Sequence, residues 1–170
     1  VRFPDERTIS YSCDLKGRIK SIAYPNGITK KIEYNAGDQI TSLTYTNAAG
    51  ITLAGWKYTY DKADKLIEIS CSDGRKFNFT YDAAGRMISE KGRLRAVEYS
   101  YFPGGNRRKK ESKQDAVDYT YDKAGQILAA GDEIFTHDAN GNLVERKGST
   151  GTTRYSYDAH NFLVGVVKPN

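Results

Sequence analysis

The chain has 170 residues, of which 38% are hydrophobic and 28% charged, and its formal net charge is +5 at pH 7. This length is enough for one domain with a modest core. A mean hydropathy of -0.67 and the lack of any long apolar run exclude a membrane-spanning helix. The two Cys exclude a disulfide-dense scaffold, and the mild positive charge permits an acidic partner without requiring one.

One short pattern repeats about every 20 residues through nearly the whole chain. Six copies align without gaps, and they begin at Tyr11, Tyr58, Phe79, Tyr119, Phe135 and Tyr155. Two more copies align with substitutions and begin at Ile32 and Tyr99. The second aromatic position of the copies falls, in chain order, at Cys13, Tyr34, Tyr60, Tyr81, Tyr101, Tyr121, His137 and Tyr157. The repeats predict a single array of about eight units over roughly residues 9–168, in one domain that spans residues 1–170.

Each copy is predicted to form a β-hairpin. Its first half alternates aromatic and small polar residues, as in Tyr58-Thr59-Tyr60, and this period of two indicates a strand. An Asp-x-x-Gly sequence follows, in which Asp suits the first position of a type I turn and accepts a hydrogen bond from the amide two residues on. Gly then supplies the left-handed residue of a bulge. The turn residues predicted most clearly are Asp82, Gly85, Asp122, Gly125, Asp138 and Gly141.

The copies that lack the turn glycine fit the same geometry. Asp38, Asp64 and Asn161 take its place in three copies, and Asp and Asn are the other residues that best tolerate a positive φ. In the fifth copy Pro103 suits the second turn position, and Gly105 keeps the bulge position. Different residues therefore satisfy one stereochemical demand.

A second strand is predicted after each turn, most clearly over residues 19–22, 40–45, 66–69, 87–88, 143–144 and 163–167. Looser turns are expected to connect the hairpins, for example at Pro25-Asn26-Gly27, Ser72-Asp73-Gly74 and Lys147-Gly148-Ser149. This rhythm predicts an antiparallel meander of about sixteen short strands. The predicted fold class is all-β, with tandem hairpins forming a continuous, curved antiparallel sheet.

The run Tyr-Asp-x-x-Gly-x-Leu resembles the YD repeat of the RHS family, most closely at residues 81–87 and 121–127. The resemblance covers roughly residues 9–168. It implies a hairpin-repeat sheet that, in long proteins, winds into a hollow shell around a toxic cargo domain. Related repeats occur in bacterial secreted or surface proteins and in animal adhesion receptors, and some members bind carbohydrate. The 170 residues contain neither the family's conserved core segment nor a toxin domain, and the chain starts at Val1, so we expect a fragment of a repeat region.

No catalytic, cofactor or metal site is expected. The repeated Asp residues occupy one equivalent turn position, which explains them without paired catalytic carboxylates or calcium ligands. The two His and two Cys show no metal-ligand spacing, and the sequence contains no P-loop, Rossmann or Gly-x-Ser-x-Gly signature. Cys13, which takes a repeat aromatic position, is expected to be a small buried thiol.

Two features are candidate contact surfaces for a ligand or partner. The first is a ladder of tyrosine pairs, each pair on one face because residues i and i+2 share a side of a strand: Tyr58, Tyr60, Tyr99, Tyr101, Tyr119, Tyr121, Tyr155 and Tyr157. These rings either hold the sheet together or stack on sugars or unfolded polypeptide. The second is the basic cluster Arg107, Arg108, Lys109 and Lys110, either a solvated face or a docking point for an acidic partner. Arg107 takes the position that holds Leu or Ile in other copies.

Together with the resemblance, the sequence therefore predicts a non-catalytic structural segment of a larger secreted or cell-surface protein of bacterial origin, forming shell wall or scaffold. Its expected partners are the rest of the parent chain or its cargo, with edge-to-edge self-association and without membrane insertion. The alternative is a carbohydrate- or polyanion-binding module that uses the tyrosine pairs and the basic cluster. Nucleic acid ranks last among the partners, because the aromatics recur with the repeat.

Overall fold

The computed structural model describes residues 8–169, and every regular element in them is a β-strand. The strands follow one another in the sheet in chain order, and the pairs resolved within each unit are antiparallel. The predicted fold class, an all-β array of tandem antiparallel hairpins, is confirmed. The fold has two compact units, one up to Ala96 and one from Val97.

The first unit contains eight complete strands: β1 (Ser10–Cys13), β2 (Ile19–Ala23), β3 (Thr29–Tyr34), β4 (Ile40–Thr46), β5 (Thr52–Tyr60), β6 (Leu66–Cys71), β7 (Lys76–Tyr81) and β8 (Met87–Gly92). The second unit contains β9 (Ala96–Tyr101, apart from its first residue), β10 (Arg107–Ser112), β11 (Ala116–Tyr121), β12 (Ile127–Ala130), β13 (Glu133–His137), β14 (Leu143–Gly148), β15 (Gly151–Tyr157) and β16 (Leu163–Val167). The sequence predicted this number of strands and the order of the hairpins, because the Asp and Gly residues of each turn mark its position in the chain.

The prediction of looser connecting turns is wrong at residues 25–27 and 72–74, which form turns of the motif type. At the third predicted turn Lys147 and Gly148 lie within β14, and the chain turns at Ser149 and Thr150 instead. The Tyr24 amide donates to the Ile28 carbonyl at 2.9 Å, and the Gly27 amide donates to the Tyr24 carbonyl at 3.0 Å. These are the hydrogen bonds of the motif turns themselves, and the turn at residues 71–75 repeats them. The physical reason is the glycine: Gly27 and Gly74 adopt φ values of 79° and 82°, so each supplies the same left-handed bulge residue.

A second bulge, which the sequence analysis did not predict, recurs in all eight motif hairpins. In β7–β8, Tyr81 lies opposite Met87 but Thr80 lies opposite Ser89, so Ile88 is an extra residue. The same shift occurs beside each second-position residue of the other copies. The extra residue shifts the alternation of side chains between the two faces by one position. Residues three apart on the second strand, such as Met87 and Glu90, therefore lie on the same face.

The register gives each unit one aromatic and one polar face, since residues directly opposite each other share a face. In the first unit the tyrosine face carries Trp56, Tyr58, Tyr60, Phe77, Phe79 and Tyr81. In the second unit it carries Tyr99, Tyr101, Tyr119, Tyr121, Phe135, Tyr155 and Tyr157. The opposite face holds mainly Ser, Thr, Lys and Glu. Among residues 8–169, Ile32 and Val97 are the buried hydrophobic residues, so each unit is a single layer of strands with a very small core.

Candidate functional site

Each motif turn is closed by its Asp side chain. The Asp82 carboxylate accepts hydrogen bonds through Oδ1 from the amides of Ala84 at 3.0 Å and Arg86 at 2.9 Å. Arg86 Nε also donates to Oδ2 at 2.7 Å. The Arg86 amide holds the pKa of Asp82 below its ordinary value against the opposing effect of burial, and the Arg86 side chain adds to the lowering. The Asp-x-x-Gly pattern predicts the hydrogen bond from the first of these amides, and the bond from the second is a further feature of the structure.

The same two-amide cap occurs at the other Asp turns. Asp122 accepts from the amides of Ala124 and Gln126 at 2.9 and 2.8 Å, and Asp138 accepts from those of Asn140 and Asn142, both at 2.9 Å. The glycines three residues after Asp82, Asp122 and Asp138 adopt positive φ values: Gly85 (81°), Gly125 (81°) and Gly141 (87°). Asp38, Asp64 and Asn161 do so as well, at 65°, 61° and 63°. A carboxylate that already accepts hydrogen bonds from the amides of its own turn is poorly placed for acid–base chemistry.

The second tyrosine of the motif links one hairpin to the one before it. Four of these hydroxyls donate to the backbone carbonyl that begins the preceding hairpin's second strand: Tyr34 to Ile19 at 3.0 Å, Tyr60 to Ile40 at 2.9 Å, Tyr81 to Leu66 at 2.8 Å and Tyr157 to Leu143 at 3.1 Å. Between β6 and β7 the backbone pairing ends at Glu68 and Asn78. Leu66 lies beyond that end, so the Tyr81 hydroxyl bridges strands that have already separated.

The repeat alignment contains an indication of this hydroxyl-to-carbonyl hydrogen bond, which we call a latch. The first aromatic position accepts Phe, as at Phe79 and Phe135, whereas the second position holds Phe in none of the copies. A phenyl ring therefore suffices at the first position, whereas the second position holds Tyr in six copies and Cys13 and His137 in the other two. Tyr121 differs from the four latches and packs edge-on against Phe102, with ring centroids 6.3 Å apart.

We expect Tyr81→Phe to lower the free energy of unfolding by about 1 kcal/mol, because it removes one hydrogen bond and leaves the Leu66 carbonyl without its partner. Tyr58→Phe is the matched control, since Phe occurs naturally at that repeat position, and it should change stability by less than about 0.5 kcal/mol. Urea denaturation of the two variants tests the latch. Equal losses would contradict it.

The latch also has a predicted pH dependence. Burial raises the pKa of Tyr81 above its ordinary value of 10.0, and the charge of Asp61 adds to this. The folded state therefore favours the neutral phenol, whose stabilising contribution is present below the unfolded pKa and is lost as pH rises through the folded pKa. Stability should fall above about pH 10, and Tyr81→Phe should reduce that fall.

The eight tyrosines predicted as contact residues all lie on the tyrosine face of their unit, and all are half-buried. Tyr60 and Tyr157 are latched by their hydroxyls. Burial raises the pKa of Tyr58, and nearby Tyr60 adds to this effect. Part of each ring is thus engaged within the sheet, and the remainder is open on the face.

The basic cluster does not form a single patch. Arg107 lies opposite Tyr101 and Lys110 lies opposite Tyr99, which places both on the tyrosine face. Lys109 lies opposite Ser100 on the polar face, where its Nζ pairs with Glu111 Oε2 at 2.9 Å. Arg108 is the extra residue of the bulge. The alternation of the strand therefore separates charges that are consecutive in the sequence.

Arg107 is held between two aromatic rings. Its Cζ atom lies 4.9 Å from the ring centroid of Tyr99 and 5.7 Å from that of Tyr119. Neither Arg107 nor Lys110 forms an ion pair with any residue in the range 8–169. Arg107 therefore has two aromatic stacking partners and no counterion, whereas the other arginine placed on this face by the register, Arg146, pairs with Glu133.

The expected burial of Cys13 is wrong, because Cys13 is exposed on β1, which has a partner strand on one side within residues 8–169. Cys13 and Cys71 are free thiols. No three His, Cys, Asp or Glu residues in the described part of the chain come close enough together to hold a metal ion. Within the same range, no helix has the length and apolarity needed to cross a membrane.

The repeated hairpins agree with a known family. The family model for the teneurin YD-shell matches residues 4–91 and 75–170. The chain belongs to the teneurin YD-shell family. The predicted resemblance to RHS and YD repeats is thereby confirmed.

Relatives of this YD-shell chain include much longer toxin proteins. It is 33% identical over 115 residues to the double-stranded DNA deaminase toxin A of Burkholderia cenocepacia (strain H111), a match over 65% of this chain and 8% of that protein. Among solved structures, the TcdB2–TccC3–Cdc42 complex matches 95% of this chain with a TM-score of 0.79 at 17% identity. The Photorhabdus luminescens Tc holotoxin pore also matches 95%, with a TM-score of 0.78 at 18% identity. The chain spans 10% of each of those two solved chains, and at these identities the likeness concerns the fold.

Proposed function

We propose that this chain is a non-catalytic length of shell wall in a larger, secreted toxin-type protein of bacterial origin. The observation that carries the proposal is the single layer of strands, with an aromatic face that the unit itself leaves half open. A closed domain would cover such a face with a second layer, whereas a wall needs a surface on each side. The matched toxin proteins, of which this chain spans about a tenth or less, support a parent chain of the same kind.

In this role the partners are the rest of the parent chain and the polypeptide that the wall surrounds. The tyrosine face offers half-open aromatic rings, and these suit contact with apolar side chains of another polypeptide. The polar face, rich in Ser, Thr, Lys and Glu, suits water. The wall itself needs no cofactor, because its contribution is to separate two spaces.

Removing residues 149–170, which include β15 and β16, tests the wall as a modular array. The described contacts between elements join consecutive strands, so the loss of a terminal hairpin should leave the others folded. We expect a lower melting temperature with the β-type circular dichroism retained. Complete unfolding would point to a closed fold and would contradict the proposal.

A second candidate function, the binding of an acidic sugar, is favoured by the Arg107 site. A guanidinium can bind a carboxylate through two parallel hydrogen bonds, and Tyr99 and Tyr119 already fix its orientation by stacking. Lys110, on the same face, adds a second charge. A uronic acid could thus pair its carboxylate with Arg107 while its ring lies along a tyrosine.

Arg107→Leu tests this candidate without disturbing the repeat, since Leu occupies the same position at Leu66, Leu143 and Leu163. On a glycan array at low and high salt, we expect salt-sensitive binding of uronic-acid glycans that Arg107→Leu weakens about tenfold. Lys109→Ser, which removes the same charge from the polar face, should leave binding unchanged. If the unmodified chain binds no glycan, the acidic-sugar function is excluded and the shell-wall function is the remaining candidate.

A further inference from the structure

A hollow of about 400 Å³ lies in the first unit, at the end of the sheet opposite the motif turns. Arg75, Phe77, Gly92, Arg93, Leu94 and Arg95 line it. Phe77 on β7 lies directly opposite Gly92 on β8. A Cβ atom at position 92 would stand 3.0 Å from Phe77 Cδ1, so the missing side chain leaves room for the ring. Gly92 is not among the residues with positive φ, and its backbone alone does not require glycine.

The turn beside this hollow presents an apolar residue to solvent. The Gly92 amide donates to the Arg95 carbonyl at 2.7 Å, which closes a turn with Arg93 and Leu94 at its tip. The Leu94 side chain is 89% exposed. Turn tips are usually polar, and the turn of the same type at Ser112–Asp115 carries Lys113 and Gln114 at its tip.

The rim of the hollow also carries unbalanced positive charge. Arg75 is paired, with its Nε 2.7 Å from Asp73 Oδ2. Arg93 and Arg95 form no ion pair with any described residue. Three arginines therefore line a hollow that has an aromatic wall and an exposed leucine, and one of the three is paired with a carboxylate.

From this arrangement we propose that the hollow binds an acidic peptide segment that carries one apolar side chain. The apolar side chain packs against Phe77 and Leu94, and the flanking carboxylates pair with Arg93 and Arg95. Because the rim of the hollow is positively charged, a negatively charged partner is complementary to it. The planar guanidinium group of arginine also matches the geometry of a carboxylate. A single exposed leucine offers too little apolar area for insertion into a lipid surface, which favours a peptide. This surface belongs to the first unit, shares no residue with the Arg107 site and does not depend on the function proposed above.

The probe for this site is a fluorescein-labelled peptide of sequence Glu-Asp-Leu-Asp-Glu. Its binding to the chain is measured by fluorescence anisotropy at low and high salt. We expect binding that salt weakens. The double variant Arg93→Ser, Arg95→Ser and the single variant Leu94→Ser should each weaken binding about tenfold. The matched control, Lys113→Ser with Gln114→Ser in the turn of the same type, should bind as the unmodified chain does. All substitutions lie in exposed turns, and circular dichroism of each variant checks that it folds.

Three outcomes would overturn the proposal. The first is no binding, or binding that the arginine and leucine variants leave unchanged. The second is equal binding of a peptide with Ser in place of its Leu, which would reduce the site to general electrostatic attraction. The third is stronger binding to vesicles with anionic headgroups than to the peptide, lost in the same variants, which would assign the surface to a membrane instead.

Discussion

The chain should self-associate in a concentration-dependent manner, and Val164→Lys with Val166→Lys should convert it to a monomer. β16 pairs with β15 on one side, and its other side has no strand partner within residues 8–169. Its residues Leu163, Val164, Val166 and Val167 are 52%, 65%, 47% and 66% exposed, and Phe162 before them is 68% exposed. An uncharged apolar edge with unpaired amides and carbonyls is a template for another strand.

At the other end of the strand order, β1 has β2 as its one strand partner within the described residues. All four residues of β1 are exposed, and Tyr11 is 50% exposed on a strand whose side chains include no charge. Pairing of β16 with β1 or with a second β16 would satisfy the backbone groups and bury the apolar side chains. Two lysines on the edge strand make that pairing unfavourable by charge repulsion and by the desolvation of their ammonium groups.

Light scattering and sedimentation from about 10 μM to about 1 mM would measure the association, a range that covers weak strand-pairing contacts. The control variant, Thr120→Lys with Thr136→Lys, adds the same charge to exposed positions of β11 and β13, strands that have partners on both sides. It should associate like the unmodified chain. A monomer at the highest concentration would mean that the terminal strands are protected in solution.

Gly85→Val should lower the free energy of unfolding by about 1–3 kcal/mol, because a β-branched residue is strained at positive φ. Gly85 adopts a φ of 81°, and its amide donates to the Asp82 carbonyl at 2.9 Å to close the turn. A Cβ atom at this position would lie 3.2 Å from Lys65 Cε, the far end of a flexible side chain that can move away. The backbone conformation is therefore the main source of the loss.

Gly85→Asn is the conservative comparison, and it should cost about 1 kcal/mol or less, since Asn tolerates this conformation. The chain already contains the precedent, because Asn161 holds a φ of 63° at the equivalent position. Gly17→Val isolates the backbone effect, since Gly17 has a φ of 80° and its Cβ would meet nothing within 4 Å. Urea denaturation of the three variants decides the matter. Equal stabilities for Val and Asn at position 85 would show that the turn does not require the left-handed conformation.

The chemistry of the candidate sites could be predicted only in part. The repeat alignment shows that Arg107 replaces an apolar residue. In the structure Arg107 lies opposite Tyr101, as Leu66 lies opposite Tyr60 in another copy. Its stacking against Tyr99 and Tyr119 was not visible, because the rings come from the strands on both sides. The hollow at Phe77 and Gly92 was missed entirely, since it depends on which residue of β8 faces the ring.

What the sequence determined by itself is the local stereochemistry and its repetition. Asp at the start of a turn, a residue tolerant of positive φ three places later, and alternation before them are short-range demands, and they predicted hairpins, strand number and fold class. Tertiary structure alone decided the second bulge, the latch from Tyr81 to Leu66 and the division of the basic cluster between two faces. Each of these depends on the register between neighbouring strands, where a shift of one residue moves a side chain to the opposite face, and register is set by the paired strands together.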